Sequence, residues 1–309
     1  MYDVVIIGAG TAGLSAGIYC ARANMKTLVL EGNMYGGQIV NSPKIENYPG
    51  IQSISGFEYS TNLYNQTKSL GAQILTKKVL KVERSENSGF EWKVITAKEE
   101  FETHTVIIAT GLVHRKPDVP GALSFEGKGL SYCATCDGAF YKGKDVVVFG
   151  GGNTAVADAM FLSNYCNKVH LVHRRDTLRA TGTMADTVLE SDNVIFHPNC
   201  VLNSIKADEN GKVSSVVIND KVDGNSYELD VKGIFMAIGQ IPSNEIFEGT
   251  VDMDDAGYII ADENCLTSAE GIFVAGDCRT KNVRQLTTAA SDGAVAAIAA
   301  IEKVMAGRS

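Results

Sequence analysis

No apolar run in the 309-residue chain approaches the length needed to span a bilayer, which excludes a bundle of membrane-crossing helices. Positive charge is short as well: 28 Lys and Arg stand against 36 Asp and Glu, a formal net charge of −8. An acidic chain lacks the basic field that would offset phosphate repulsion, so neither nucleic acid nor an anionic membrane is expected as a partner. The N-terminus carries no basic region and no small-residue cleavage site around its first apolar stretch, and a cytoplasmic location is expected. Cysteines number seven, an odd count spread over a long chain. That is no dense disulfide framework, and most are expected to be thiols in a reducing compartment. Ligand spacing for zinc is missing too. A zinc site usually takes two close ligand pairs, but the chain has one C-x-x-C and five histidines in no such arrangement.

The composition that remains, 45% apolar and 21% charged with 31 glycines, belongs to a globular protein long enough for two domains with several tight strand-to-helix turns. Residues 4–7 (VVII) form a short continuous apolar run, the mark of a parallel strand buried on both faces. They feed directly into Gly8-Ala-Gly10-Thr11-Ala-Gly13 and an apolar-periodic helix, the context in which G-x-G-x-x-G means dinucleotide binding at a helix N-terminus. A second strand, residues 27–30, ends at Glu31, where a carboxylate can accept hydrogen bonds from an adenosine ribose.

The pattern recurs. Residues 145–149 (DVVVF) lead into Gly150-Gly-Gly152-Asn153-Thr154-Ala155, a helix to about Tyr165 and a strand over 168–172. Where the first unit has Glu31, this one has His173-Arg174-Arg175, with Arg179 a turn further on. A free 2′-hydroxyl wants an acceptor, whereas a 2′-phosphate wants planar, permanently charged donors. The second unit is therefore expected to hold NADPH, although a solvated basic turn would read the same way. In the C-terminal part, Gly271-Ile-Phe-Val-Ala-Gly276-Asp277 reads as a buried strand presenting an acid to a ribityl chain, or as an ordinary turn. Arg284 and Gln285 follow, then an Ala-rich helix expected to begin near residues 291–293. A helix N-terminus aimed at a flavin would stabilise charge on its pyrimidine side, which favours FAD in the first unit.

Cys133 and Cys136 sit in SYCATCDGAF, residues 131–140, as a pair of inert packed thiols or as a redox dithiol. The redox reading has a physical basis. C-x-x-C thiols at the start of a helical turn lower each other's pKa, and Asp137 beside them can exchange a proton. The pair lies in the same stretch as the second fingerprint, so nicotinamide and dithiol cannot both meet one flavin face at once. Two orientations alternating about residues 111–115 and 239–243 are expected.

GAGTAG, GGQI, IENYPG, ATG, CATCDG, GGGNTA, HRRDTLRA and GIFVAGD followed by RQLTTAASDG occur in this order. Together they resemble the low-molecular-weight, bacterial-type thioredoxin reductases of the pyridine-nucleotide disulfide oxidoreductase superfamily, over essentially the whole chain. The resemblance implies an α/β fold of two Rossmann-like, three-layer ββα domains, the second inserted into the first. Residues 1–112 with 243–309 would bind FAD, and residues 113–242 would bind NADPH and carry the C-x-x-C. It places Gly37, Gln38, Asn47, Ala109, Thr110, Gly111 and Ala289 with the flavin, although Gln38 and Asn47 could simply close turns. It further implies that Cys136 faces the flavin while Cys133 attacks the disulfide of thioredoxin, and that the protein is a homodimer without an added C-terminal redox tail. Thr11, Ala157-Asp158 and Ser243 depart from the family pattern. His114 and Arg115, at the first crossing, read as a solvated linker or as functional residues. Cys20 and Cys166 read as packing, and Cys278 as a thiol near the cofactor. Reduction of a peroxiredoxin or glutaredoxin-like carrier, a dithiol oxidase, a flavin-bearing sensor and a ferredoxin-linked reductase are the rival readings.

Overall fold

The computed structural model describes residues 1–42, 44–87, 89–180 and 183–308. The last residue of the expected flavin-domain stretch, Ser309, lies outside them. The chain divides into two compact units, Met1–Val113 with Ile241–Ser309, and His114–Gln240.

The first unit opens with β1 (Tyr2–Ile7), α1 (Thr11–Arg22), β2 (Thr27–Glu31), α2 (Gly56–Ser69) and β3 (Gln73–Thr76). An antiparallel meander follows, β4 (Val79–Arg84), β5 (Trp92–Thr96) and β6 (Glu100–Ile108), and then the first crossing strand β7 (Leu112–His114). The second unit runs through β8 (Leu130–Ser131), α3 (Ala134–Asp137), β9 (Asp145–Phe149), α4 (Asn153–Ser163), β10 (Lys168–Val172), α5 (Thr183–Leu189) and β11 (Val194–His197). Its own meander is β12 (Cys200–Ala207), β13 (Val213–Asp220) and β14 (Ser226–Asp230), closed by β15 (Gly233–Met236). The chain returns through β16 (Gln240–Pro242), which pairs with β7, to β17 (Ile272–Val274) and α6 (Leu286–Arg308).

Among the described residues the two main sheets repeat one plan. In the first unit β3, β2, β1 and β6 lie side by side in parallel, with β17 parallel on β6 and the β4–β5–β6 meander continuing the sheet. The second unit orders β11, β10, β9, β15 and β8, also parallel, with its meander as a separate sheet. This is the doubly wound order in which the first strand's C-terminal end meets the crevice that takes a nucleotide.

Alternation along the first strand of each unit builds the layers. Val4 and Ile6 pack toward α1 and α6, while Val5 and Ile7 pack toward the meander with Trp92 and Val94. In the same way Val146 and Val148 face α4, and Val147 and Phe149 face Val216 and Ile218 of β13. A strand covered on both faces has no place for polar alternation, which is why both runs read as continuously apolar. At the entry to α2, Ser55 Oγ accepts from the Glu58 N–H at 3.1 Å, an N-cap that starts the helix beside the first sheet.

The expected start of the last helix is corrected. It begins at Leu286, about a turn and a half before residue 291. Thr288 Oγ1 accepts from the Gln285 N–H at 3.1 Å and the Ala289 N–H donates to the Gln285 carbonyl at 2.9 Å, so Gln285 caps the helix and the first turn forms there. α4 likewise ends at Ser163 rather than Tyr165, with Asn164 in the capping position.

Candidate active site

The two fingerprint turns are superposable in logic. Gly8 has φ +110°, and a Cβ there would lie 2.2 Å from the Ala109 carbonyl oxygen at the end of β6. Gly150 has φ +151°, and its Cβ would lie 2.3 Å from the Ala237 carbonyl oxygen just past β15. Only glycine lets each turn approach the neighbouring strand this closely while starting a helix. α1 and α4 then begin from Gly10 and Gly152, N-cap residues that bring no side-chain cap to either helix start. Thr11 and Gly13 stand in the first of these turns, Asn153, Thr154 and Ala155 in the second.

In the first unit, Glu31 Oε2 accepts from the Ala9 N–H at 2.7 Å and Oε1 from the Asn33 N–H at 3.0 Å. The carboxylate is thereby fixed at the tip of β2. The 36–39 stretch lies across the glycine turn: the Gly36 N–H donates to Ala9 O at 2.7 Å, and Gly10 and Gly37 approach closely. Gln38 Nε2 donates to Leu112 O at 3.0 Å, and Asn47 Nδ2 to Gln285 Oε1 at 3.3 Å. Ala289 packs on the α1–α6 core one turn into the helix that Gln285 caps. Arg284 lies over the Tyr258 ring at 4.2 Å and donates to Asp277 O and Arg279 O, both at 3.3 Å.

Asp277 supplies the test of fit for a flavin. Its Oδ1 is buried without a hydrogen-bond partner in the polypeptide. Burial pushes its carboxyl pKa up against the opposing pull of Lys281 and Arg284. A buried acceptor that the protein leaves unpaired is what a polyhydroxyl ribityl chain satisfies. The Thr110 hydroxyl, by contrast, is used internally. It donates to Asn244 Oδ1 at 2.9 Å, next to Gly111 at the first crossing.

In the second unit the residues after β10 separate. His173 is buried, its ring 2.4 Å from where a Gly151 Cβ would stand, and its Nε2 lacks a partner. Burial, then Arg179, Arg175 and Arg174, push its pKa down. Arg174, Arg175 and Arg179 are exposed, and no ion pair engages them among the described residues. The Arg179 and Ala180 N–H groups donate to Gly151 O at 2.6 and 3.1 Å, folding the basic loop back onto the glycine turn. On α4, burial pushes the Asp158 carboxyl up to about 7.

Cys133 and Cys136 form a disulfide with Cα atoms 5.3 Å apart. Cys133 is the N-cap of the one-turn helix α3, and its Sγ accepts from the Cys136 N–H at 3.2 Å. An N–H pointing at sulfur favours the thiolate once the bond is reduced. Asp137 follows at the end of the turn, its N–H donating to Cys133 O at 3.2 Å. The other five cysteines are free and buried. Among the described residues, no group of three or more His, Cys, Asp or Glu is arranged for a metal.

Sequence reasoning missed several residues. Asn244 carries the buried amide network beside Ser243: its Nδ2 donates to Gly257 O and Cys278 O, both at 2.9 Å. Tyr132, just before the dithiol, donates to Glu126 Oε1 at 2.7 Å under the Lys116 ammonium, and His114 stacks on it at 5.1 Å. His114 is thus half-buried rather than part of a solvated linker; Arg115 is exposed. Asp292, read as a helix start, is buried inside α6 with Arg279 and Lys281 as partners.

Paired dinucleotide-binding folds, one of them carrying a C-x-x-C disulfide at a helix N-terminus, define a disulfide oxidoreductase of the nucleotide-dependent class. The sequence pattern described as pyridine nucleotide-disulphide oxidoreductase matches residues 2–293. The chain belongs to that family, among its low-molecular-weight thioredoxin reductases. It is 42% identical over 298 residues to the thioredoxin reductase of Bacillus subtilis strain 168, covering 96% of this chain and 93% of that protein. Against the thioredoxin reductase of Treponema pallidum strain Nichols it is 43% identical over 300 residues, 97% of this chain and 96% of the other. The crystal structure of Lactococcus lactis thioredoxin reductase in its FR conformation matches with a TM-score of 0.87 at 40% identity, over 99% of this chain and all of that one. Family membership implies FAD and a nicotinamide dinucleotide.

Proposed function

We propose that the protein reduces the disulfide of thioredoxin with electrons from NADPH, taken through FAD and the Cys133–Cys136 pair. The observation that carries this reading is the disulfide at the start of α3, in the same unit as a glycine turn flanked by three exposed guanidinium groups. The first unit would hold FAD through Gly8, Gly10, Gly13, Glu31 and Asp277. Residues 114–240 would hold NADPH, with Arg174, Arg175 and Arg179 on its 2′-phosphate.

FAD, when bound, supplies a carrier that takes two electrons from a nicotinamide and yields them to a disulfide. The polypeptide performs the rest. Once the pair is reduced, the Cys133 thiolate attacks a sulfur of the thioredoxin disulfide, forming a mixed disulfide and expelling the other thioredoxin sulfur as thiolate. Cys136 then attacks Cys133 Sγ, re-forming the Cys133–Cys136 bond and releasing the second thioredoxin sulfur. Two electrons pass to thioredoxin with the two protons that its thiols acquire, and Asp137 is the proton relay beside the pair. Residues 114–240 would hold the nicotinamide and carry the dithiol, so this unit would present the two to a flavin in turn, by rotation about the two crossing strands. Homodimer formation belongs to the same reading. No helix among the described residues is long and apolar enough to cross a membrane. A cytoplasmic setting belongs to the proposed reading.

The test is anaerobic NADPH consumption with and without oxidised thioredoxin, in wild type and Cys136→Ser. Turnover that requires both thioredoxin and Cys136 supports the reading. Turnover that survives Cys136→Ser, or is driven by reduced ferredoxin and never by NADPH, overturns it.

A further inference from the structure

The glycine turn presenting Asp277 is held from behind by one carboxylate. Asp292 lies on α6, seven residues into the helix, where it is the lone acid of an otherwise apolar and small stretch from 286 to 301. Its Oδ2 accepts from the Gly276 N–H at 3.0 Å, Arg279 Nε at 2.8 Å and Lys281 Nζ at 2.8 Å. Its Oδ1 accepts from Arg279 Nη2 at 2.9 Å. All three charged side chains are more than nine-tenths buried. Arg279 Nη1 also donates to Thr280 O at 3.1 Å, and Arg279 O accepts from Arg284 Nη2. One carboxylate therefore ties the last helix to Gly276, to residues 279–281 and, through Arg279, to Arg284.

We propose that Asp292 is the positioning residue for the flavin turn, holding Gly276, Asp277 and Arg284 in their flavin-ready arrangement before FAD arrives. Two physical facts carry this. First, a buried bidentate Arg–carboxylate pair is rigid and directional, and burying it makes sense where a fixed geometry is required. Secondly, Asp277 Oδ1 is buried without a hydrogen-bond partner, so no hydrogen bond from the polypeptide fixes that oxygen. Its placement has to come from the backbone of residues 276–277, and the Gly276 N–H that anchors this backbone ends on Asp292. Lys281 and Asp292 also line an open surface cavity of about 730 Å³ with Asp262, Glu263 and Thr288, so one edge of the cluster faces a space that water can enter. An ion cluster with water on one side escapes part of the desolvation penalty.

The inference rests on the proposed FAD reading, and the experiment separates the two. FAD dissociation from the full-length holoenzyme is followed by flavin fluorescence on dilution, with the flavin absorption band recorded in parallel. The chains are wild type, Asp292→Asn, Asp277→Asn and the double variant, each at a temperature where circular dichroism reports it folded. Global stability then does not enter the affinity. Asp292→Asn is expected to weaken FAD at least tenfold and to shift the resolved shoulder of the bound-flavin band. Its effect should be non-additive with Asp277→Asn, because one acts through the other. Wild-type affinity in Asp292→Asn, or effects that simply add, overturns the proposal. A wild-type chain that binds no FAD overturns the function reading instead.

Neutralising Asp292 leaves two buried cations, so a charge-free variant, Arg279→Gln/Lys281→Gln/Asp292→Asn, serves if the single variant does not fold. It should retain fold and lose FAD affinity by the same factor, and wild-type affinity in it again overturns the proposal. Hydrogen exchange on the flavin-stripped wild-type chain gives a third reading that needs no variant. A protected Gly276 amide is expected, and fast exchange there overturns pre-organisation.

Discussion

The Thr110 hydroxyl donates to Asn244 Oδ1 over 2.9 Å, joining the turn that leaves β6 to the segment that returns through β16. The same amide donates to the carbonyls of Gly257 and Cys278, so one nearly fully buried side chain closes three backbone segments. Asn244→Ala strands those partners in a dry site, where each unsatisfied polar group costs about 1–3 kcal/mol. A loss of about 2–4 kcal/mol in urea unfolding is expected. Thr110→Val should lose less, and a double-mutant cycle should return a coupling of about 1 kcal/mol. A zero coupling would mean the hydroxyl is satisfied some other way.

The basic loop after β10 predicts cofactor choice. If the loop holds NADPH as proposed, Arg174→Ala and Arg175→Ala would each remove a donor to its 2′-phosphate, and a charge-assisted hydrogen bond contributes roughly 1.5–3 kcal/mol. Each is expected to raise KM for NADPH by about 10- to 100-fold while leaving NADH nearly unchanged. Equal losses with both nucleotides in steady-state assays would place the arginines elsewhere.

The two glycine turns should fail independently. A Cβ at Gly8 collides with Ala109 O and one at Gly150 with Ala237 O, each within its own unit. Gly8→Ala is expected to purify with little flavin, read as the ratio of visible to protein absorbance. Gly150→Ala should stay yellow and reduce with dithionite but not with NADPH.

Acid stability depends on an imidazole pair. His170 Nδ1 and His197 Nε2 are 2.9 Å apart on neighbouring strands β10 and β11. Burial, then His170, push the His197 pKa down to about 4. Burial also lowers His170, with Asp145 opposing and Lys168 adding to the fall. The ordinary value near 6.5 applies to the unfolded chain, so between about pH 6.5 and 4 the unfolded state binds more protons. This contribution to stability is complete above pH 6.5 and falls as pH drops toward 4. His197→Phe should flatten the slope of unfolding free energy against pH in that window. An unchanged slope would falsify the assignment.

Much of the site was legible before any fold was known, because its chemistry is local. A β-branched run, a glycine turn and a helix start are adjacent in sequence, and C-x-x-C needs one helical turn to bring Cys133 and Cys136 together. The replacement of Glu31 by an arginine loop in the second unit is equally a matter of neighbours on the chain. Other features depended on partners far away. Asn244 meets Thr110 across 134 residues, and nothing around it marks the encounter. His173 reads like part of the basic loop, yet the sheet directs it inward beneath Gly151 while its neighbours turn out. Asp292-Gly293 looks like a helix start, but capping at Gln285 begins the helix earlier and carries Asp292 into the interior, where Arg279 and Lys281 meet it. Spacing along the chain determines which groups can act together locally. Which buried polar atoms find partners is decided by packing, because only the tertiary fold removes the water that would otherwise satisfy them.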